Sequence, residues 1–122
     1  MKVLESAENY LEAILMVREE KGVVRAIDIV NKLGFSKPSV SVAMKNLEVN
    51  EFITRDGDGF IKLTESGEEI AKMIYERHNL LTSLFVKLGV SEETAREDAC
   101  KVEHDLSEET FECIKKAYTD IK

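Results

Sequence analysis

The feature that most constrains the fold is a change in the spacing of apolar residues near the middle of the chain. Up to residue 47, apolar side chains recur at the three- to four-residue spacing of helices with one buried face. Beyond it, short strand-like runs at 52–55 and 60–63 flank the sequence Asp-Gly-Asp-Gly, which is a strong hairpin signal. Three helices followed by a hairpin is the order of a winged helix-turn-helix.

The three helices have recognisable ends. The first is predicted over 6–21 and the second over 25–33, because a glycine follows each of them. Ser36 is predicted to cap the third helix, which tolerates Pro38 in its first turn. The predicted inward-facing residues are Ala7, Leu11, Ile14 and Leu15 in the first helix, Ile27, Val30 and Leu33 in the second, and Val40, Met44 and Leu47 in the third.

The second half of the sequence is predicted to be helical throughout. A long helix fits residues 65–88, and two further helices begin after Ser91 and Ser107, each a serine cap followed by acidic residues. We therefore expect a mostly α fold, with a winged helix-turn-helix domain carrying a two-stranded wing at 1–63 and a helical domain at 64–122. The predicted inner side of the long helix is Ile70, Ile74, Leu81, Phe85 and Leu88.

The formal net charge of −7 is unevenly distributed. Residues 1–64 carry 9 basic and 10 acidic side chains, whereas residues 65–122 carry 8 and 14. The acidic half is repelled by phosphate, but the nearly neutral half can lie on nucleic acid if its basic side chains share one face. No apolar run approaches the roughly 20 residues of a membrane span, and the first seven residues lack an apolar signal core. We therefore expect a cytoplasmic protein with no membrane partner, whose two cysteines are thiols.

The segment from Ser36 to Leu47 has a composition suited to DNA. It contains serines, lysines and an asparagine but no acidic residue. A helix that enters the major groove needs short polar groups for base edges and cations for phosphates. The alternative is the solvated face of a winged helix that binds another protein. The predicted DNA contacts are Ser36, Lys37, Pro38, Ser39, Ser41 and Lys45 in this segment, with Arg25, Lys32, Arg55 and Lys62 at flanking phosphates.

Cys100, Glu103 and His104 carry metal-binding side chains. Their spacing of i, i+3 and i+4 predicts that all three project from one side of a helix. Thiolate, carboxylate and imidazole together suit a borderline divalent ion such as Fe(II), Mn(II), Co(II) or Zn(II). The alternatives are a small buried cysteine beside two solvated residues, or a redox-sensing thiol, which Lys101 alone would activate.

Two other helices offer further ligands. Asn9 and Glu12 lie one turn apart on the first helix, on the face opposite Leu11 and Ile14. His78 falls within the apolar side of the long helix, where the alternative to a ligand is a hydrogen-bonded core imidazole. Because three segments offer ligands, a metal site is our preferred interpretation, and Glu12 and Glu103 leave open whether one ion or two are bound.

The last three helices have more apolar surface than one small core requires. We expect them to form a homodimer, which would place the two DNA-recognition helices, the third helix of each protomer, about 34 Å apart on a palindromic duplex. The predicted interface residues are Leu80, Leu84, Phe111, Ile114 and Tyr118.

The ordered set of motifs resembles one known family. The sequences AENYLEAI (7–14), SKPSVS (36–41), LTESG (63–67), RH (77–78) and CKVEH (100–104) are similar to those of the metal-dependent repressors typified by the diphtheria toxin repressor and the manganese transport regulator. The resemblance covers nearly the whole chain. It implies a metal-responsive, DNA-binding repressor of metal homeostasis genes, without the SH3-like domain of longer members. The implied metal ligands are Asn9, Glu12, His78, Cys100, Glu103 and His104.

The sequence departs from both branches of that family. The manganese-responsive branch has Asp at the position of Asn9 and Glu at that of Cys100, whereas the iron-responsive branch has Met and Cys. Thr82 and Arg96 occupy the positions of ancillary ligands in the iron branch, so that second site is expected to be absent in its usual form. A thiolate favours Fe(II), and Asn9 removes an anionic oxygen, so Fe(II) is predicted to be the physiological ion and Mn(II) the next. Zn(II) and Co(II) are expected to bind in vitro.

The sequence gives no sign of an enzyme. It has no HExxH motif, no nucleophile elbow and no phosphate-binding glycine loop, so neither catalysis nor a small-molecule substrate is expected.

Overall fold

The computed structural model describes residues 5–121 and contains six helices and two strands within that range. The chain divides into two compact units, the first up to Lys72 and the second from Met73. The predicted mostly helical, winged helix-turn-helix architecture is confirmed, while the predicted domain boundary after residue 63 stays a prediction. The elements are α1 (Glu5–Lys21), α2 (Ala26–Leu33), α3 (Lys37–Val49), β1 (Ile53–Arg55), β2 (Ile61–Leu63), α4 (Glu65–Lys87), α5 (Glu92–Val102) and α6 (Glu108–Ile121).

The core of the first unit is built from α1, α2, α3 and the hairpin. Helix α1 is buried on more than the one face that its apolar spacing predicted, because every residue from Tyr10 to Leu15 is buried. In α2 the expectation for Ile27 is wrong: its side chain is 44% exposed, while Ile29 is fully buried. These two positions lie about 200° apart around a helix, so turning Ile29 inward turns Ile27 outward. The predicted Val40, Met44 and Leu47 of α3 are all buried.

Helix α3 begins where the sequence predicted. The Ser36 hydroxyl accepts a hydrogen bond from the Ser39 amide at 3.3 Å, and Pro38 occupies the first turn, where its missing N–H is not needed. The start of α3 therefore follows from local side-chain chemistry.

Strands β1 and β2 form an antiparallel pair, with Thr54 opposite Lys62. The Asp56 carboxylate closes the connection by accepting the amide hydrogens of Asp58 and Phe60 at 2.9 and 3.0 Å. The Ile61 amide donates to the Val24 carbonyl at 2.7 Å, so the segment between α1 and α2 is attached to the hairpin. These bonds anchor the wing to the rest of the unit.

Helix α4 starts in close contact with the chain that follows α3. A Cβ added at Gly67 would lie 2.0 Å from the Phe52 carbonyl oxygen, which is far closer than any side chain can approach. The same oxygen accepts the Thr64 amide hydrogen at 3.0 Å, and the Thr64 hydroxyl donates to the Glu51 carbonyl at 2.7 Å. Glycine is therefore required in the first turn of α4.

The second unit contains the later part of α4 together with α5 and α6. Its buried residues include Ile74, Leu81, Ala95, Ala99 and Phe111. Leu88 was expected on the inner side of the long helix, but it is 71% exposed because α4 ends at Lys87. None of the helices in the described range combines the length and the apolar character that crossing a bilayer requires.

Candidate metal centre

In the second unit, His78 and His104 each lie next to the buried carboxylate of Glu103. The Glu103 side chain is fully buried, and its Oε2 lies 2.9 Å from Nδ1 of His78. The other carboxylate oxygen, Oε1, lies 3.5 Å from Nε2 of His104, whose side chain is 1% exposed. The His78 side chain is 16% exposed, so the cluster is open to solvent mainly on that side. Two of the predicted ligands, His78 and His104, therefore lie next to a third, Glu103.

The backbone after α5 determines where these side chains point. Helix α5 ends at Val102, although the Glu103 amide still donates to the Ala99 carbonyl at 2.9 Å. Glu103 is therefore the C-terminal cap of α5, with helical backbone angles, and His104 follows it in the turn. Cys100 is exposed while the Glu103 and His104 side chains are buried, and their common helical side stays a prediction.

The cluster has the chemistry of a cation site. Within residues 5–121, the buried Glu103 Oε1 accepts no hydrogen bond. A buried carboxylate oxygen without a donor is costly, and a cation is the usual compensation. The 2.9 and 3.5 Å separations bring one imidazole next to each oxygen of the Glu103 carboxylate. Two imidazoles and a carboxylate suit a borderline divalent transition metal.

Cys100 lies beside this cluster. Its exposed thiol lines a shallow depression whose lining also includes His78, together with Arg96, Glu97 and Lys101. The thiol thus shares a surface with one of the clustered histidines. Its role as a ligand stays a prediction.

The two predicted ligands on α1 belong to the first unit. Glu12 is 6% exposed and Asn9 is half-buried, so the face that carries them is not the open surface expected of a helix packed on one side only. Their roles as ligands also stay predictions.

Sequence reasoning missed Arg77, which stands next to His78. Its buried guanidinium donates through Nη1 to the carbonyls of Glu103 at 3.1 Å and Leu106 at 2.7 Å. The signal was available, because Arg77 lies three residues after Ile74 and four before Leu81, within the apolar stripe. A charged residue at such a position needs buried partners.

The predicted DNA-facing residues of α3 are on its surface. The predicted residues from Ser36 to Ser41, and Lys45, are all exposed. The same helix exposes Val42, which is 61% exposed and was not among the predicted surface residues. The exposure of Val42 could have been predicted, because it lies outside the apolar stripe of Val40, Met44 and Leu47.

Three of the flanking cations already have partners within the first unit. Arg25 stacks on the Phe60 ring at 4.3 Å, Lys32 pairs with Glu20 at 2.7 Å, and Arg55 pairs with Glu48 at 2.9 Å. Lys62 is exposed on β2. These contacts hold the guanidinium and ammonium groups near the surface, where phosphate would have to compete with them.

One predicted interface residue is not on the surface. Phe111 is 3% exposed within the single chain, where the Arg77 guanidinium lies 5.2 Å from its ring centre. It belongs to the core of the second unit, so its assignment to a dimer interface is corrected. The half-buried Leu80, Leu84, Ile114 and Tyr118 stay predicted interface residues.

A winged helix-turn-helix joined to a helical unit with a histidine–carboxylate cluster defines the class of metal-responsive DNA-binding regulators. Residues 2–59 match the family described as iron dependent repressor, N-terminal DNA binding domain, and residues 64–122 match its metal binding and dimerisation domain. The transcriptional regulator MntR of Escherichia coli O157:H7 is 35% identical over 111 residues, which cover 91% of this chain and 72% of that protein.

Two solved structures extend the similarity to the fold. The crystal structure of T. acidophilum IdeR matches with a TM-score of 0.80 and 25% identity over 98% of this chain and 55% of that chain. The structure of the manganese regulator SloR matches with a TM-score of 0.80 and 26% identity over 93% of this chain and 53% of that chain. The chain spans about half the length of these two structures.

The chain belongs to the iron-dependent repressor family. It carries the family's DNA-binding domain and its metal-binding and dimerisation domain. It is accordingly a metal-dependent transcriptional regulator and not an enzyme.

Proposed function

We propose that a divalent transition metal bound at His78, Glu103 and His104 controls operator binding by a dimer of this chain, and thereby represses genes of metal homeostasis. The observation that carries this proposal is the fully buried Glu103 carboxylate between two imidazoles, with one oxygen that accepts no hydrogen bond in the described chain. The ion would neutralise that carboxylate, and its occupancy would register the metal supply of the cell.

The ligand set is proposed to extend to Asn9, Glu12 and Cys100. Asn9 and Glu12 are supported by their residue types and by their burial on α1, where Glu12 is 6% exposed and Asn9 is half-buried, and Cys100 by the depression that it shares with His78. An ion with ligands on α1 and in the later helices would bias the orientation of the DNA-recognition helix α3. Occupancy of the metal site would thereby change the affinity for DNA.

Fe(II) is the proposed physiological ion, with Mn(II) next. A thiolate ligand favours Fe(II), while Asn9 provides a neutral oxygen in place of a charged one. The resemblance to a structure named as a manganese regulator supports the second choice. Zn(II) and Co(II) are proposed to bind in vitro.

The proposed DNA contact uses the exposed residues of α3 in the major groove. Ser36, Ser39 and Ser41 can reach base edges, while Lys37 and Lys45 can reach phosphates. The acid-free surface from Ser36 to Leu47 supports this orientation. A homodimer through the last three helices would present two such helices to a palindromic operator in the cytoplasm.

The test is DNA binding with and without metal. Duplexes selected from a random pool with Mn(II)-loaded protein are titrated by fluorescence anisotropy against wild type, Glu103→Gln and the control Glu112→Gln, whose side chain is exposed on α6. Metal is expected to tighten wild-type binding by about 5- to 150-fold, the range of ordinary allosteric coupling. Glu103→Gln should lose this gain and Glu112→Gln should keep it.

Three results would contradict the proposal. Equal wild-type affinity with Mn(II) and with chelator would remove metal control. Release of DNA by oxidant but not by chelator would favour a thiol redox sensor, and absence of duplex binding under all conditions would favour a protein-binding winged helix.

A further inference from the structure

Arg77 is a buried, positively charged residue that is not among the proposed metal ligands. Its side chain is 6% exposed, and its Nη1 donates to two backbone carbonyls, that of Glu103 at 3.1 Å and that of Leu106 at 2.7 Å. Its guanidinium also lies 5.2 Å from the centre of the Phe111 ring, within the range of a cation–π contact. One side chain therefore connects α4, the turn after α5 and α6.

The two carbonyls that Arg77 holds delimit the turn that carries two proposed ligands. Helix α5 ends at Val102, and beyond Glu103 the turn is held by the Asp105 amide, which donates to the Val102 carbonyl at 3.0 Å, and by Arg77. Carbonyl groups at the end of a helix lack intrahelical partners and need another donor. Arg77 supplies this donor to the Glu103 carbonyl, and it also binds the Leu106 carbonyl just before α6.

Arg77 and His78 act on the same residue from adjacent positions of α4. Arg77 binds the main chain of Glu103, while His78 contacts its carboxylate at 2.9 Å. Backbone and side chain of Glu103 are thereby fixed by two consecutive residues, which sets the direction in which the carboxylate points.

We propose that Arg77 is a positioning residue of the metal centre: it holds the turn 103–106 so that the Glu103 carboxylate faces His78 before an ion arrives. The inference rests on the proposed function. Groups that orient metal ligands without touching the ion typically contribute about 10- to 100-fold to affinity. Arg77 would act through the backbone and would not alter the identity of the ligands.

The experiment is an Mn(II) titration followed by the electron paramagnetic resonance signal of free Mn(II). Wild type, Arg77→Met, Arg77→Lys and Phe111→Leu are compared, and circular dichroism verifies that each variant is folded. Arg77→Met is expected to weaken Mn(II) binding by about 10- to 100-fold, yet to reach wild-type DNA affinity at saturating Mn(II), because the ligands are intact. Arg77→Lys keeps a donor and should fall between wild type and Arg77→Met.

Phe111→Leu separates positioning from general stability. It removes the ring under the guanidinium but leaves the two carbonyl bonds, so Mn(II) affinity should change by less than about threefold, well below the effect of losing an orienting partner. Equal Mn(II) affinity in wild type and folded Arg77→Met would overturn the inference, as would equal losses in Arg77→Met and Phe111→Leu. If Arg77→Met does not fold, wild-type affinity in Arg77→Lys would overturn it. Failure of wild type itself to bind Mn(II) would instead refute the proposed function.

Discussion

The ion pair between Arg18 and Glu68 gives the clearest pH-dependent prediction. The two nitrogens of the Arg18 guanidinium donate to the two Glu68 oxygens, each at 2.7 Å, across 50 residues of sequence within the first unit. Lys72 also lies 3.2 Å from Glu68. Hydrogen bonding to Arg18, opposed by burial and aided by Lys72, lowers the pKa of Glu68 from 4.5 to about 2. The same contact raises the pKa of Arg18.

The magnitude follows from this shift after correction for solvent. Taken in full, it corresponds to about 3 kcal/mol at about 1.4 kcal/mol per pKa unit. The Arg18 and Glu68 side chains are 35% and 27% exposed, so solvent screening reduces the expected contribution to about 1 kcal/mol. Because the folded-state pKa is depressed, the stabilisation is fully present above pH 4.5 and is lost as the pH falls toward 2.

A double-mutant cycle with Arg18→Met and Glu68→Gln measures this coupling. Urea unfolding is followed by circular dichroism with chelator present and at one protein concentration, from pH 7 to pH 3. The coupling free energy should be about 1 kcal/mol at pH 7 and should decline below pH 4.5. A coupling of zero at pH 7, or one that does not change with pH, would refute the reasoning.

Three further predictions concern the first unit and the metal. Gly67→Ala should destabilise the protein by about 2 kcal/mol or more in urea unfolding, since its Cβ would overlap the Phe52 carbonyl; Gly57→Ala, with open space around it, is the control, and equal stabilities would contradict the close contact. Val42→Ala should weaken operator binding by about fivefold, because an exposed valine in the major groove contacts a thymine methyl. Replacing that thymine by uracil should remove the difference in affinity between wild type and variant. A loss that persists with uracil would exclude this contact. Transcript levels in metal-limited cultures should show repression that follows iron, and repression that follows manganese alone would make the iron prediction wrong.

The parts of the fold that depend on local chemistry were predictable from the sequence. The start of α3 follows from Ser36 and Pro38, and the hairpin from the Asp-Gly repeat at 56–59. Each of these signals acts within a few residues, so tertiary packing has little opportunity to override it.

The parts that failed depend on where a helix ends or how it rotates. The sequence predicted Ile27 as a core residue, but the short α2 turns Ile29 inward. The sequence also predicted Leu88 on the inner side of the long helix, but α4 ends at Lys87 and Leu88 is 71% exposed. Helix boundaries shift by a residue or two easily, and a one-residue rotation moves a side chain by about 100°.

The long-range side-chain contacts of the fold were outside the reach of sequence reasoning. Arg77 and Glu103 are 26 residues apart, and Arg18 and Glu68 are 50 apart. Residue types identified Glu103 and His104 as ligand candidates, but only the packing of α4 against the turn shows that the Glu103 carboxylate is fully buried beside two imidazoles. Residue type and spacing identify candidate ligands, whereas burial of a carboxylate indicates that it requires a neutralising cation.

The most direct test of the central claim is anomalous diffraction at the zinc absorption edge from crystals of this chain loaded with Zn(II). We predict a strong peak within about 2.0–2.2 Å of an imidazole nitrogen of His78, an imidazole nitrogen of His104 and a carboxylate oxygen of Glu103. A peak that lies away from all three side chains, or a fully buried Glu103 with no anomalous peak near it, would contradict the account.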